Sequence, residues 1–92
     1  MPSVFRIGKY LIYFWMAEGR PTEPIHVHVA EGSPRQNGTK IWICKDGKTR
    51  LANNNSRIPP TKLKIIQDTI EKRSEEIIEM WKKFFGEVKY YC

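Results

Sequence analysis

Two histidines stand two residues apart, His26 and His28, inside the apolar run Ile25-His-Val-His-Val29. A strand repeats every two residues, so both imidazoles are expected on one face and Ile25, Val27 and Val29 on the other. Neutral imidazoles suit zinc, nickel or copper, although closed zinc sites need four donors and catalytic ones generally three. Cys44 would supply a third if its strand lies beside the histidines; Glu31 and Asp46 are more remote. A second chemistry is acid–base cleavage of a phosphodiester, one histidine as base and one as acid, with Arg50 or Arg57 stabilising developing phosphate charge. A third is binding: His26, His28 and Trp42, with the basic side chains Lys40, Arg50 and Arg57, would hold single-stranded nucleic acid by stacking and charge, or make the equivalent contact with a protein. The plainer alternative makes both imidazoles hydrogen-bonded parts of a sheet, with Trp42 in the core. No phosphate loop or dinucleotide fingerprint is present, and no cofactor is expected.

The charge supports a binding role without choosing the partner. Sixteen Lys and Arg against ten Asp and Glu leave a net charge of +6. Residues 1–60 carry nine basic and four acidic residues, and residues 61–92 carry seven and six. The excess therefore lies before the C-terminal third, at Arg6, Lys9, Arg20, Arg35, Lys40, Lys45, Lys48, Arg50 and Arg57. Such a surface attracts a phosphate backbone or an acidic protein; solubility alone is the other reading. Two cysteines, Cys44 and Cys92, make no disulfide framework, and Cys92 is expected to fray. The start Met-Pro-Ser-Val-Phe-Arg lacks a leader pattern, and the longest apolar run, Tyr10 to Ala17, is too short to span a bilayer. A soluble, reducing, cytoplasmic setting is expected, with no membrane partner.

The elements that must position these residues read as follows. Val4 to Ile7 and Tyr10 to Met16 form two strands joined at Gly8-Lys9. The second is apolar on both sides, Tyr10, Ile12, Phe14 and Met16 against Leu11, Tyr13 and Trp15, which marks a central strand. Glu18 to Pro24 is a loop, Ile25 to Ala30 the histidine strand, and Glu31 to Gly38 an exposed connection. Lys40 to Lys45 and Lys48 to Ala52 form a hairpin around Asp46-Gly47, a two-residue type I′ signature. That turn pairs Cys44 with Thr49 and Trp42 with Leu51, placing these four on one face, opposite Ile41, Ile43, Arg50 and Ala52. Asn53 to Ser56 is a turn region, and Pro59 and Pro60 end any strand before it.

Helix follows. Thr61 serves as N-cap, with Pro60 in the first turn as the alternative. Leu63, Ile66, Ile70, Ile77, Trp81 and Phe84 recur at helical steps, with a weak stretch at Arg73-Ser74. One helix to about Phe85 is expected, roughly 37 Å long; a break near Ser74, with Glu75-Glu76 in a second first turn, is the alternative. Gly86 is the expected stop. The tail Val88 to Cys92 is apolar enough to pack, a second subunit being one surface for it.

Several of these segments resemble one family. Val4-Phe-Arg-Ile-Gly8, the aromatic second strand, Pro24-Ile-His-Val-His-Val29, Ile41-Trp42, Arg50-Leu-Ala-Asn53 and Glu76-Ile-Ile-Glu-Met-Trp81 followed by Phe85-Gly86 are similar to DUF4160, a domain family of unknown function. The likeness covers nearly the whole chain. That family usually presents Pro-Pro-His-x-His, which falls here on Pro24, His26 and His28, with Ile25 where the second proline stands. The resemblance implies a small prokaryotic protein encoded beside a second small protein, sometimes linked to toxin–antitoxin-like pairs.

The resulting expectation is a single α+β domain over residues 1–92, β-rich over 1–58 and helical over 60–86. It is an antiparallel sheet of four to five strands with a long C-terminal helix on one face. Its function is expected to be a cytoplasmic binding module, a toxin–antitoxin-like component contacting a partner protein or nucleic acid. The alternatives are a small metal-independent ribonuclease using His26 and His28, and a metal-binding module on the same residues. A homodimer is a further option for so small a core.

Overall fold

The computed structural model describes residues 3–15 and 23–92. Five strands, β1 (Ser3–Ile7), β2 (Tyr10–Tyr13), β3 (His26–Glu31), β4 (Thr39–Ile43) and β5 (Thr49–Asn53), precede two helices, α1 (Pro60–Lys72) and α2 (Ser74–Phe85). The strands form one antiparallel sheet in chain order. Of the residues named above, Met16, the start of the Glu18 to Pro24 loop, Arg20 and the first two residues lie outside the described residues.

Alternation builds the two faces as the pattern requires. Tyr10, Ile12, Phe14, Ile25, Val27, Val29, Ile41 and Ile43 join Leu63, Ile66, Ile70, Ile77 and Trp81 in one buried cluster beneath the helices. Leu11, Tyr13 and Ala30 form a smaller cluster on the opposite face, with Trp15 against it. All four residues of β2 are buried, in keeping with its place between β1 and β3.

Several expectations change. The β4–β5 connection holds three residues rather than two: the Cys44 amide donates to the Lys48 carbonyl (2.8 Å) and the Gly47 amide to the Cys44 carbonyl (3.0 Å). Gly47 takes φ 87°, the left-handed conformation that a three-residue hairpin loop needs. The pairing therefore slides by one, to Ile43 with Thr49, Trp42 with Arg50 and Ile41 with Leu51. Slipping by one residue reverses the faces of one strand relative to the other. Ile41, Ile43, Thr49 and Leu51 consequently share the helix side, where Glu71 accepts hydrogen bonds from the Thr49 amide (3.0 Å) and hydroxyl (2.7 Å). Trp42 and Arg50 share the other.

The helix is broken, not continuous. Arg73 departs from helical geometry (φ −111°, ψ 21°) and separates α1 from α2. Its guanidinium holds both oxygens of Glu76 (3.0 and 2.7 Å), while Ser74 is buried and caps nothing. At the start of α1 the cap position is Pro59, with Pro60 inside the first turn, and Thr61 is already helical. Gly86 ends α2 at φ 85° as expected. Phe84, counted in the apolar stripe, is exposed, though its ring still meets Phe14 at 6.3 Å.

Cys92 is not frayed. It is joined to Cys44 in a disulfide. The segment after α2 packs on its own sheet: the Ile25 amide donates to the Lys89 carbonyl (2.8 Å) and the Lys45 amide to the Cys92 carbonyl (2.9 Å). A cystine of this kind persists under oxidising conditions and opens under reducing ones. Among the described residues, no helix is long and apolar enough to cross a membrane.

Candidate functional site

The ladder brings His26 opposite Trp42 and His28 between Tyr13 and Lys40. The two imidazoles do leave the same face of β3, with ring centroids 5.0 Å apart. They begin a longer series. Trp15 meets Tyr13 at 6.4 Å, Tyr13 stacks on His28 at 5.7 Å, His26 meets Trp42 edge-on at 5.6 Å, and Trp42 stacks on Tyr91 at 4.7 Å. Six rings thus run from β2 across the sheet to the C-terminal segment.

The members differ in what they offer a ligand. Tyr13 is fully buried and His26 is only 7% exposed, whereas His28, Trp42 and Trp15 are half-buried and Tyr91 is 57% exposed. Trp81 of α2 closes on His26 from the helix side at 5.5 Å. The accessible part of the row is therefore His28, Trp42 and Tyr91, supported from behind by Tyr13 and His26.

Burial sets the protonation of His26. Its removal from water holds the imidazole down at about 4, opposed by the hydrogen bond with the Pro24 carbonyl (2.9 Å) and reinforced by the charges of His28 and Lys40. A neutral ring facing a carbonyl must carry its proton on Nδ1, so Nδ1–H donates to Pro24. For His28, the Gly38 carbonyl lies 3.3 Å from Nδ1. Burial pushes the Tyr13 hydroxyl up, and that group donates to the Arg35 carbonyl (2.6 Å) while accepting from the Arg35 amide (2.9 Å). Position 38 must stay glycine for this closure, since a Cβ there would overlap the Tyr13 hydroxyl.

Lys40 lies with its ammonium over the Trp42 ring, 4.3 Å from the centroid, and pairs with Glu23. At Glu23, burial works to raise the carboxyl, but the Lys40 hydrogen bond and the charges of His26, Lys40 and His28 together bring it below the ordinary range. Arg50 is exposed on the same face, opposite Trp42. Arg57 is elsewhere, in the turn after β5, lining a cavity with Arg35 and Asn37. Of the residues singled out from sequence, then, His26, His28, Lys40, Trp42 and Arg50 share a face and Arg57 does not.

Among the described residues no group of three His, Cys, Asp or Glu is placed to hold a metal ion. The Cys44 sulfur is bonded to Cys92.

A family described as a domain of unknown function, DUF4160, matches residues 10–82. The chain belongs to that family. The match runs from the start of β2 into α2, and so includes His26, His28, Lys40, Trp42 and both elements that bury His26. No curated protein and no solved structure matches the chain. The DUF4160 match stops short of Tyr91 and Cys92, so the last ring of the row is contributed by a segment beyond it.

Sequence reasoning missed Tyr13, Trp15, Glu23 and Tyr91 as members of this face. Alternation along the second strand already set Tyr13 and Trp15 opposite Ile12 and Phe14. Placing them beside the histidines needed the pairing of Tyr13 with His28, which depends on the length of the intervening loop. For Tyr91 no local pattern exists.

Proposed function

We propose that this chain is a binding module that holds single-stranded nucleic acid on the ring-bearing face of its sheet. The ring row of His28, Trp42 and Tyr91, flanked by Lys40 and Arg50, carries this reading. Base–ring stacking is tolerant of sequence because every base has a π face, and cations beside the rings meet the strand's phosphates. A net charge of +6 attracts a polyanion of this kind.

The competing use of the histidines, as acid and base of a ribonuclease, is disfavoured by His26. A group held at about 4 is not the imidazolium that a general acid needs at neutral pH, and it is a weak base there. The metal-module alternative lacks a third donor among the described residues.

The test is anisotropy titration of a labelled oligothymidylate of about ten nucleotides with the wild-type protein and Tyr91→Ala, the ring at the exposed end of the row. Loss of one stacked base is expected to weaken binding by roughly tenfold or more. Equal affinities for the two proteins would end the proposal.

A second reading has its own support. Strand β5 is an edge of the sheet and exposes Leu51 (39%), so a second small protein, in a toxin–antitoxin-like pair, would add a strand there. Leu51→Lys is expected to abolish co-purification with such a partner while leaving oligonucleotide affinity unchanged. Retained co-purification would refute it.

A further inference from the structure

A cavity of about 570 Å³ opens at the end of the sheet away from the Cys44–Lys48 hairpin, between the Glu31–Thr39 connection and the turn after β5. Arg35 and Arg57 both line it, with Gln36, Asn37 and Asn55. Among the described residues neither guanidinium has a hydrogen-bond or ion-pair partner. The one carboxylate in the lining, Glu31, is already held by Lys9, Nζ to Oε2 2.6 Å. Two unspent planar cations and three carboxamides converge on one polar space. That donor set fits a tetrahedral oxyanion, which accepts paired hydrogen bonds from guanidinium forks.

The backbone at Arg57 points the same way. Its φ is 56°, the only non-glycine residue of positive φ among the described residues. A residue with a Cβ is costly in that conformation, and glycine would be the undemanding choice. The turn enforces it by a dense set of bonds. Asn54 Oδ1 accepts from Thr39 Oγ1 (2.8 Å) and the Ile58 amide (3.1 Å), and Asn54 Nδ2 donates to the Ile58 carbonyl (2.9 Å). The Arg57 amide donates to the Asn54 carbonyl (2.9 Å), and Ser56 Oγ donates to the Val29 carbonyl (2.8 Å). Arg35 is fixed as firmly, through both of its backbone groups, by the Tyr13 hydroxyl. An arginine kept where glycine would fold more easily is accounted for by what its side chain does.

We infer that Arg35 and Arg57 form a phosphate-group site, which receives a backbone phosphate of the strand stacked on the ring row. The source of that phosphate rests on the nucleic-acid reading above; the chemistry of the cavity does not. The two regions are adjoined: Tyr13 bonds Arg35 at its hydroxyl and stacks on His28 with its ring, and Gly38 of the same connection faces His28 Nδ1.

The experiment uses the full chain, the labelled oligothymidylate and inorganic phosphate as probes. Arg57→Gly removes the guanidinium and relieves the backbone, so its melting temperature is expected to equal or exceed wild type. Its oligonucleotide affinity is expected to fall roughly tenfold, and the slope of log K against log salt to shrink by roughly 0.7, one single-strand phosphate contact. Arg35→Gln is expected to do the same, whereas Tyr91→Ala weakens binding with the slope unchanged. Unchanged affinity and slope in Arg57→Gly overturn the inference. If wild-type protein binds no oligonucleotide, the stacking reading falls and inorganic phosphate decides: shifts of the Arg35 and Arg57 side-chain NMR signals, lost in Arg57→Gly, uphold a site for a free phosphate group. No shift ends it.

Discussion

Along β3 one face carries Val27 and Val29, both fully buried under the helices, while the other carries His26, buried, and His28, half-buried. The contrast extends over the sheet: Ile12, Ile41 and Ile43 on the covered side, Tyr13, Lys40, Trp42 and Arg50 on the other. The side chains of those covered isoleucines and valines contribute packing alone. The uncovered positions hold rings and cations, and neighbours answer the polar atoms of three of them, Tyr13 by Arg35, His26 by Pro24 and Lys40 by Glu23. Stability is thus concentrated on one side of the sheet, which frees the other to vary its chemistry at small cost to folding.

The largest effect that would test this division is a cavity on the covered side. Ile41→Ala is expected to cost about 4 kcal/mol in denaturant unfolding, against about 1 kcal/mol for Trp42→Ala, its chain neighbour on the opposite face. Equal costs would erase the distinction.

Acid comes next, and it strikes the uncovered side. The folded pKa of His26, about 4, lies below its unfolded value, so the unfolded chain binds the extra proton between those limits. Stability is therefore full above about pH 6.5 and declines by about 3 kcal/mol as pH falls to about 4. Replacing His26 with Gln should flatten that part of the stability profile, measured by unfolding at a series of pH values. A slope that survives the replacement would assign the effect to other groups.

The smallest expected change concerns the link between the faces. Opening the Cys44–Cys92 disulfide, 48 residues apart in sequence, is expected to cost about 2 kcal/mol, the low end for such a loop, because residues 87–92 also loosen in the folded state. Loss of the Tyr91–Trp42 stack should appear at the same time as a change in tryptophan emission on adding a thiol reductant. Unaltered emission would show that the stack holds without the cystine.

Much of the architecture can be read from the chain because it rests on local repeats. Alternation in Ile25-His-Val-His-Val29 and from Tyr10 to Trp15 sorts both strands into the faces observed, and the helical spacing of Leu63, Ile66, Ile70, Ile77 and Trp81 names the covering stripe. What escaped reading depends on single-residue choices or on distant partners. Asp46-Gly47 suits a two-residue or a three-residue loop, and only the longer one sets Trp42 against Arg50. The interruption at Arg73 is one residue wide, within a segment of helix formers, so the sequence offers a break near Ser74 only as the alternative to one helix. Cys92 meets Cys44 only after the whole fold has closed, so no pattern in its own neighbourhood announces the bond.

The tip of the β4–β5 hairpin has a role beyond reversing the chain. A side chain at Gly47 would come within 3.1 Å of Ser74 Oγ, the buried first residue of α2. The hairpin tip therefore abuts the start of α2 at this one point. Hairpin tips are ordinarily where a tag or graft does least harm. In this molecule added bulk at Gly47 would press on Ser74 at the start of α2, and the exposed stretch Gly32–Asn37 offers room for added chain only at the expense of the arginine cavity.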